Sequence, residues 1–190
     1  MTTTKTKKTV EKPIETLPNN PFIFEILDLL SKQRTNERKI EVLRTYEDPS
    51  LKSILIWNFD ESVISVLPEG DVPYASTGEQ NSYSGTLSSK IDDAVSKMSE
   101  LNSNSLGSMD QGMSSIRKEY RMFYNFVKGG NNELSSLRRE TMFINILQGL
   151  HPKEAEILVL VKDKKLQNKY KITQEVVKEA YPDIIWGNRS

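Results

Sequence analysis

Five lysines, Lys162, Lys164, Lys165, Lys169 and Lys171, fall within ten residues, with Asp163 as the only acidic interruption. Tyr170 and Thr173 complete a basic loop expected between one helix ending near Lys162 and another beginning at Thr173. Arg138 and Arg139 form a second basic pair; Arg34, Thr35, Arg38 and Lys39 form a third group at the first expected helix–helix junction. Ammonium and guanidinium groups beside the free amides of helix starts suit phosphate oxygens. The chemistry these residues offer is ion pairing to a phosphate backbone.

Materials for bond-making are scarce. There is no cysteine and one histidine, His151, so thiolate chemistry, disulfides, a histidine-built metal site and a two-imidazole relay are all excluded. No phosphate-binding P-loop, dinucleotide fingerprint, nucleophile elbow or zinc-binding His-Glu-x-x-His motif occurs. The carboxylate pairs Asp92–Asp93 and Asp60–Glu61 are adjacent, and neighbours on a helix point about 100° apart. They read as solvated faces, and no metal or other cofactor is expected. His151 precedes Pro152 and reads as a capping or turn residue. A non-enzymatic role is the expectation.

The 190 residues carry 26 basic and 26 acidic side chains, so any electrostatic partner site must be local. Apolar runs such as Ile54 to Trp57 and Ile157 to Val161 fall far short of the roughly 20 residues of a membrane helix. With no apolar signal core at its start, the chain is expected to be soluble and intracellular.

The elements that must position the basic groups are helical. Residues 1–18 read as a disordered basic tail, followed by a single helical domain over 19–190. Asn19, Asn20 and Pro21 announce a helix carrying Ile23, Ile26, Leu27 and Leu30; Thr35 caps a second; Asp48–Pro49 opens a third. Glu61–Leu67 is open to helix or strand. Helices are expected over Ser114–Val127, from Asn132 or Ser135 to Gly149, from Pro152, and after Thr173, with Gly129–Gly130 as a C-terminal stop. The fold class is therefore all-α, a compact domain of six to nine helices with Trp57, Phe59, Phe123 and Phe143 in its core.

A polar, flexible Ser-rich insert is expected at about 75–115, carrying one amphipathic helix over Thr86–Leu101. Leu87, Ile91, Ala94, Met98 and Leu101 alternate steps of four and three, the spacing of an a/d seam. That seam either folds back on its own domain or pairs two copies in an oligomer.

Two stretches carry a family resemblance. Residues 24–43 (FEILDLLSKQRTNERKIEVL) and 51–57 (LKSILIW) resemble the opening helices of the DNA-binding domain of phage-type ATP-dependent DNA ligases. Residues 156–166 (EILVLVKDKKL), 169–177 (KYKITQEVV) and 181–184 (YPDI) are similar to that domain's last helical pair. Lys164 or Lys165 then stands for the family's first basic residue and residues 170–173 for its binding loop, with lysine in place of arginine and Thr173 in place of glycine. The ligase adenylation motif Lys-x-Asp-Gly is absent. Residues 55–60, 67–74, 125–131 and 181–190 are also similar to an uncharacterised protein family of large contractile-tailed phages and cyanophages.

The resemblance implies a ligase-type DNA-binding domain without the catalytic domains, gripping the duplex DNA backbone with little base reading. It implies an accessory role in phage DNA replication, recombination or repair, in the cytoplasm of an infected bacterial host, with a phage replication or repair protein as a further partner. The alternative is a protein-interaction or virion component that has lost DNA binding. A helix-turn-helix reader over residues 152–181 is the weaker third reading. Its connection, Leu166–Ile172, is long, and the last helix has no arginine for guanine.

Overall fold

The computed structural model describes residues 12–70 and 114–189. The expected seam, Leu87, Ile91, Ala94, Met98 and Leu101, and the pair Asp92–Asp93 lie outside the described residues.

Eight α-helices and one 3-10 helix make up the described fold: α1 (Ile23–Ser31), α2 (Asn36–Thr45), α3 (Pro49–Phe59), α4 (Ile116–Glu119), the 3-10 helix (Tyr120–Phe126), α5 (Ser136–Gly149), α6 (Pro152–Lys162), α7 (Leu166–Tyr170) and α8 (Gln174–Ala180). The all-α expectation agrees with this arrangement. Local chemistry sets most starts. Thr35, Asp48, Ser135 and Thr173 accept backbone N–H groups as N-caps of α2, α3, α5 and α8. His151 caps α6, its Nδ1 accepting the Lys153 amide at 3.1 Å.

The first helix begins at Ile23, past Pro21, and Glu25 reaches back to accept the Phe22 N–H at 2.8 Å. Residues 12–18, expected in the disordered tail, lie against the domain. Ile14 and Leu17 pack on the core, and the Leu17 amide donates to the Tyr46 hydroxyl at 2.8 Å.

Two further expectations are corrected. Ser114–Val127 is not one α-helix but a single α-turn followed by 3-10 helix, ending in a left-handed Gly129 at φ 83°. Residues 61–67 form neither helix nor strand; Ser65 makes an isolated antiparallel bridge with Val127.

The core is one cluster built on α1, α3 and α6, whose buried residues include Ile26, Leu30, Leu51, Leu55, Ile157 and Val161. Trp57, Phe123, Phe126 and Phe143 form its aromatic end; Phe59 packs at the margin, partly buried. Two fully or nearly buried charges stitch the layers. Glu154 accepts the N–H groups of Ile23 and Ile116, each at 3.1 Å, so one carboxylate serves the starts of α1 and α4 from α6. Burial raises this carboxyl from near 4.5 to about 7, against the two amides and Arg117 that pull it down. Asp60 accepts from Ser62, the Gly187 amide and Arg189, anchoring the C-terminal residues on the end of α3.

Candidate nucleic-acid interface

Two of the three basic groups meet at one end of the fold. Lys39, in the first turn of α2, donates from Nζ to the Lys171 carbonyl at 2.7 Å. Arg44, in the last turn of α2, donates to the carbonyls of Glu179 at 2.9 Å and Ala180 at 3.4 Å at the end of α8. The two helices therefore run parallel, with the α1–α2 turn and the α7–α8 turn side by side. This end gathers Arg34, Thr35, Arg38 and Lys39 with Lys169, Tyr170, Lys171 and Thr173.

The members differ in what they present. Arg34, Lys169 and Lys171 are exposed. Lys169 pairs with Glu156 and lies over the Tyr170 ring, 5.5 Å from its centroid. Lys171 holds a left-handed backbone at φ 50°, which turns the chain from α7 into α8. Arg38 donates to Gln33 at 3.0 Å and to the Lys12 carbonyl at 2.7 Å, tying residue 12 to α2. Thr35 and Thr173 spend their hydroxyls on the Arg38 and Val176 amides. Tyr170 is buried, and burial with nearby carboxylates raises its phenol well above the usual range. It supports the loop from below and offers no ring for stacking.

Three further expected contact residues face inward. Lys162, 2 % exposed, donates to the carbonyls of Pro68 at 2.7 Å and Gly70 at 3.0 Å and to Asp163 at 2.6 Å. Lys164 donates to the carbonyls of Trp57 and Asp60, each at 2.8 Å, and burial lowers its ammonium below the ordinary value. Lys162 fastens the end of α6 to residues 68–70, and Lys164 fastens it to the end of α3. A sequence reading counts such lysines with the solvent-facing ones because the carbonyls they seek are distant in the chain.

Arg139 likewise donates to the carbonyls of Asn125, Asn131 and Leu134 at 2.8–3.0 Å, closing the loop ahead of α5. Its neighbour Arg138 is exposed, but on the α5 surface beside the 3-10 helix, apart from the α2–α8 end. Lys165 is exposed at the start of α7, at the opposite end of that helix from Lys171. The stretch expected as a plain loop contains α7 because Asn58 reaches across from α3: its Oδ1 accepts the Leu166 amide at 3.0 Å.

Glu154, and the inward placement of Lys162, were not visible in the sequence reading. A signal for them exists: they fall at helical steps from Leu158, on the stripe that α6 buries. Charges on a core stripe need internal partners.

Among the described residues no group of three or more His, Asp or Glu side chains is placed to hold a metal ion, and no helix is long and apolar enough to cross a membrane.

The model of a family described as "Family of unknown function (DUF6433)" matches residues 26–99 and 99–168. The matched residues run through the Ser-rich stretch as well as the helices. No curated protein matches, and no solved structure does. The chain belongs to that family of unknown function.

Proposed function

We propose that this member of the family is a non-catalytic protein that binds the backbone of duplex DNA, largely without regard to sequence, through the end of the fold where α2 and α8 begin. The observation carrying this reading is the Lys39–Lys171 hydrogen bond, which joins two basic turns 132 residues apart in the chain. Arg34, Lys169 and Lys171 project from those turns, with Lys39 between them. Phosphate contacts need cations in fixed positions and little else, and the two turns are held by packed helices.

The resemblance of residues 24–57 and 156–184 to the ligase DNA-binding domain supports the same end of the molecule, since both of its stretches contribute to it. An accessory role in phage DNA replication, recombination or repair, in the infected host's cytoplasm, follows from that resemblance. Fluorescence anisotropy against labelled intact duplex, nicked duplex and single strand tests the reading. With about four phosphates neutralised, duplex affinity should fall roughly 100-fold between about 50 and about 200 mM salt. No duplex binding at the lower salt would overturn it.

One observation favours the second reading, a protein-interaction or virion component. Glu37 and Glu175 occupy the first turns of α2 and α8, and Glu156 pairs with Lys169, so carboxylates share the same end. Copurification with one phage or host protein, and no gel shift at low salt, would select it.

A further inference from the structure

Between the 3-10 helix and α5 runs an apolar groove of about 530 Å³ that no described residue covers. Met122 forms one wall, and Met142 and Ile146 of α5 form the other. Met122 is 40 % exposed, and Leu137, at the start of α5, is 75 % exposed. A leucine standing so far out at the lip of an apolar groove marks a face suited to contact with another protein surface.

The two ends of the groove differ in shape and in charge. At the first turn of α5, Leu137 projects and Arg138 is exposed, its side chain without an ion-pair partner among the described residues. At the last turn Gly149 has no side chain, and Glu119 supplies a carboxylate. The Ser114 amide donates to the Gly149 carbonyl at 3.1 Å while its hydroxyl donates to Glu119 Oε1, which places that carboxylate beside the end of α5. Leu137, Thr141, Asn145 and Gly149 recur every fourth residue, so they share one row along the helix, about 18 Å from first to last. A projecting side chain and a cation thus mark one end of the row, and a gap and an anion mark the other.

We propose that two copies of this chain associate through this groove about a two-fold axis, with their α5 helices antiparallel. The operation carries Leu137 of each copy over Gly149 of the partner subunit and Arg138 to Glu119 of the partner subunit, and it closes Met122, Met142 and Ile146 from water. Each contact then occurs twice, as a two-fold interface requires. A parallel pairing would set Arg138 against Arg138 and Leu137 against Leu137, so charge and shape both select the antiparallel one. A second copy supplies the complementary base, acid and projecting leucine without any further partner. The association uses no residue of the proposed DNA-binding end and does not depend on that reading.

Sedimentation equilibrium of the full chain without DNA, at concentrations up to about 100 μM and about 50 mM salt, should give twice the 21.7 kDa chain mass. Arg138→Glu and Glu119→Arg should each weaken association about tenfold, since each sets like charges together at two places. With circular dichroism to verify the fold, the chain carrying both reversals should return to within about threefold of wild type, a recovery that a merely structural role of either residue does not produce. Cross-linking gives a second measurement, because the chain has no cysteine of its own. Thr141 is exposed, and the antiparallel pairing sets its two copies about 6 Å apart along the helix axis, within reach of a short bismaleimide on Thr141→Cys. For Ser136→Cys, also exposed, the separation is about 21 Å, and its yield of linked chains should be at least about tenfold lower. Monomers throughout, single reversals that associate as the wild type does, a folded double reversal no tighter than the singles, or equal linking at the two positions would overturn the proposal.

Discussion

At the scale of single residues, the lysines of the 162–171 stretch divide by what their ammonium groups meet. Lys162 and Lys164 are satisfied by internal carbonyls, whereas Lys165, Lys169 and Lys171 face water. The division gives a stability prediction. Lys162→Met leaves Asp163 without its cation and frees two loop carbonyls, and should cost about 3–5 kcal/mol in urea unfolding. Lys169→Met removes an exposed pair with Glu156 and should cost less than about 1 kcal/mol. Comparable losses from the two would contradict the division. Spacing alone made all five lysines look alike, because burial of a lysine depends on where distant backbone oxygens fall. The caps were legible for the opposite reason: Thr35, Asp48, Ser135 and Thr173 act on amides two or three residues away.

At the scale of elements, helices with strong local signals stood where the sequence placed them, and those shaped by distant partners did not. Residues 116–127 carry apolar side chains at helical spacing, yet the chain tightens to 3-10 geometry after Glu119. Arg139 draws off the Asn125 carbonyl, and the Phe126 carbonyl accepts the Val66 amide, so these groups serve other elements. The turn that follows admits no side chain at Gly130, where a Cβ would lie 1.8 Å from the Tyr124 carbonyl oxygen. Gly130→Ala should therefore cost at least about 2 kcal/mol, read as a fall in the thermal midpoint, and a neutral result would contradict this turn.

Glu154 joins α1, α4 and α6, and its titration reports on that junction. Its folded-state pKa, about 7, lies above its unfolded value, near 4.5. The folded state thus holds the extra proton between those values, and this group's contribution to stability falls as pH rises from about 5 to about 7. Glu154→Gln removes the titration. The stability difference between wild type and variant should shift against the wild type over that interval by up to about 1.4 kcal/mol per pH unit. A difference that stays flat with pH would contradict the assignment.

At the scale of the whole molecule, equal numbers of acidic and basic residues leave no overall field to draw the protein onto DNA. Function of the proposed kind then depends on juxtaposition, and the fold brings the α1–α2 and α7–α8 turns together while leaving Arg138 elsewhere. Both turns were legible as basic clusters, and a resemblance pointed to both, but their adjacency was not legible. It arises from the parallel packing of α2 on α8, fixed by Lys39 at one end and Arg44 at the other.

The central claim is that this shared end meets a phosphate backbone. The most direct test compares wild type with the triple variant Arg34→Glu, Lys169→Glu and Lys171→Glu in duplex-binding anisotropy at about 50 mM salt, with circular dichroism to verify the fold. The account predicts a folded variant whose affinity falls at least tenfold and whose salt dependence is shallower by about three in log–log slope. A folded variant that binds duplex as the wild type does would contradict it.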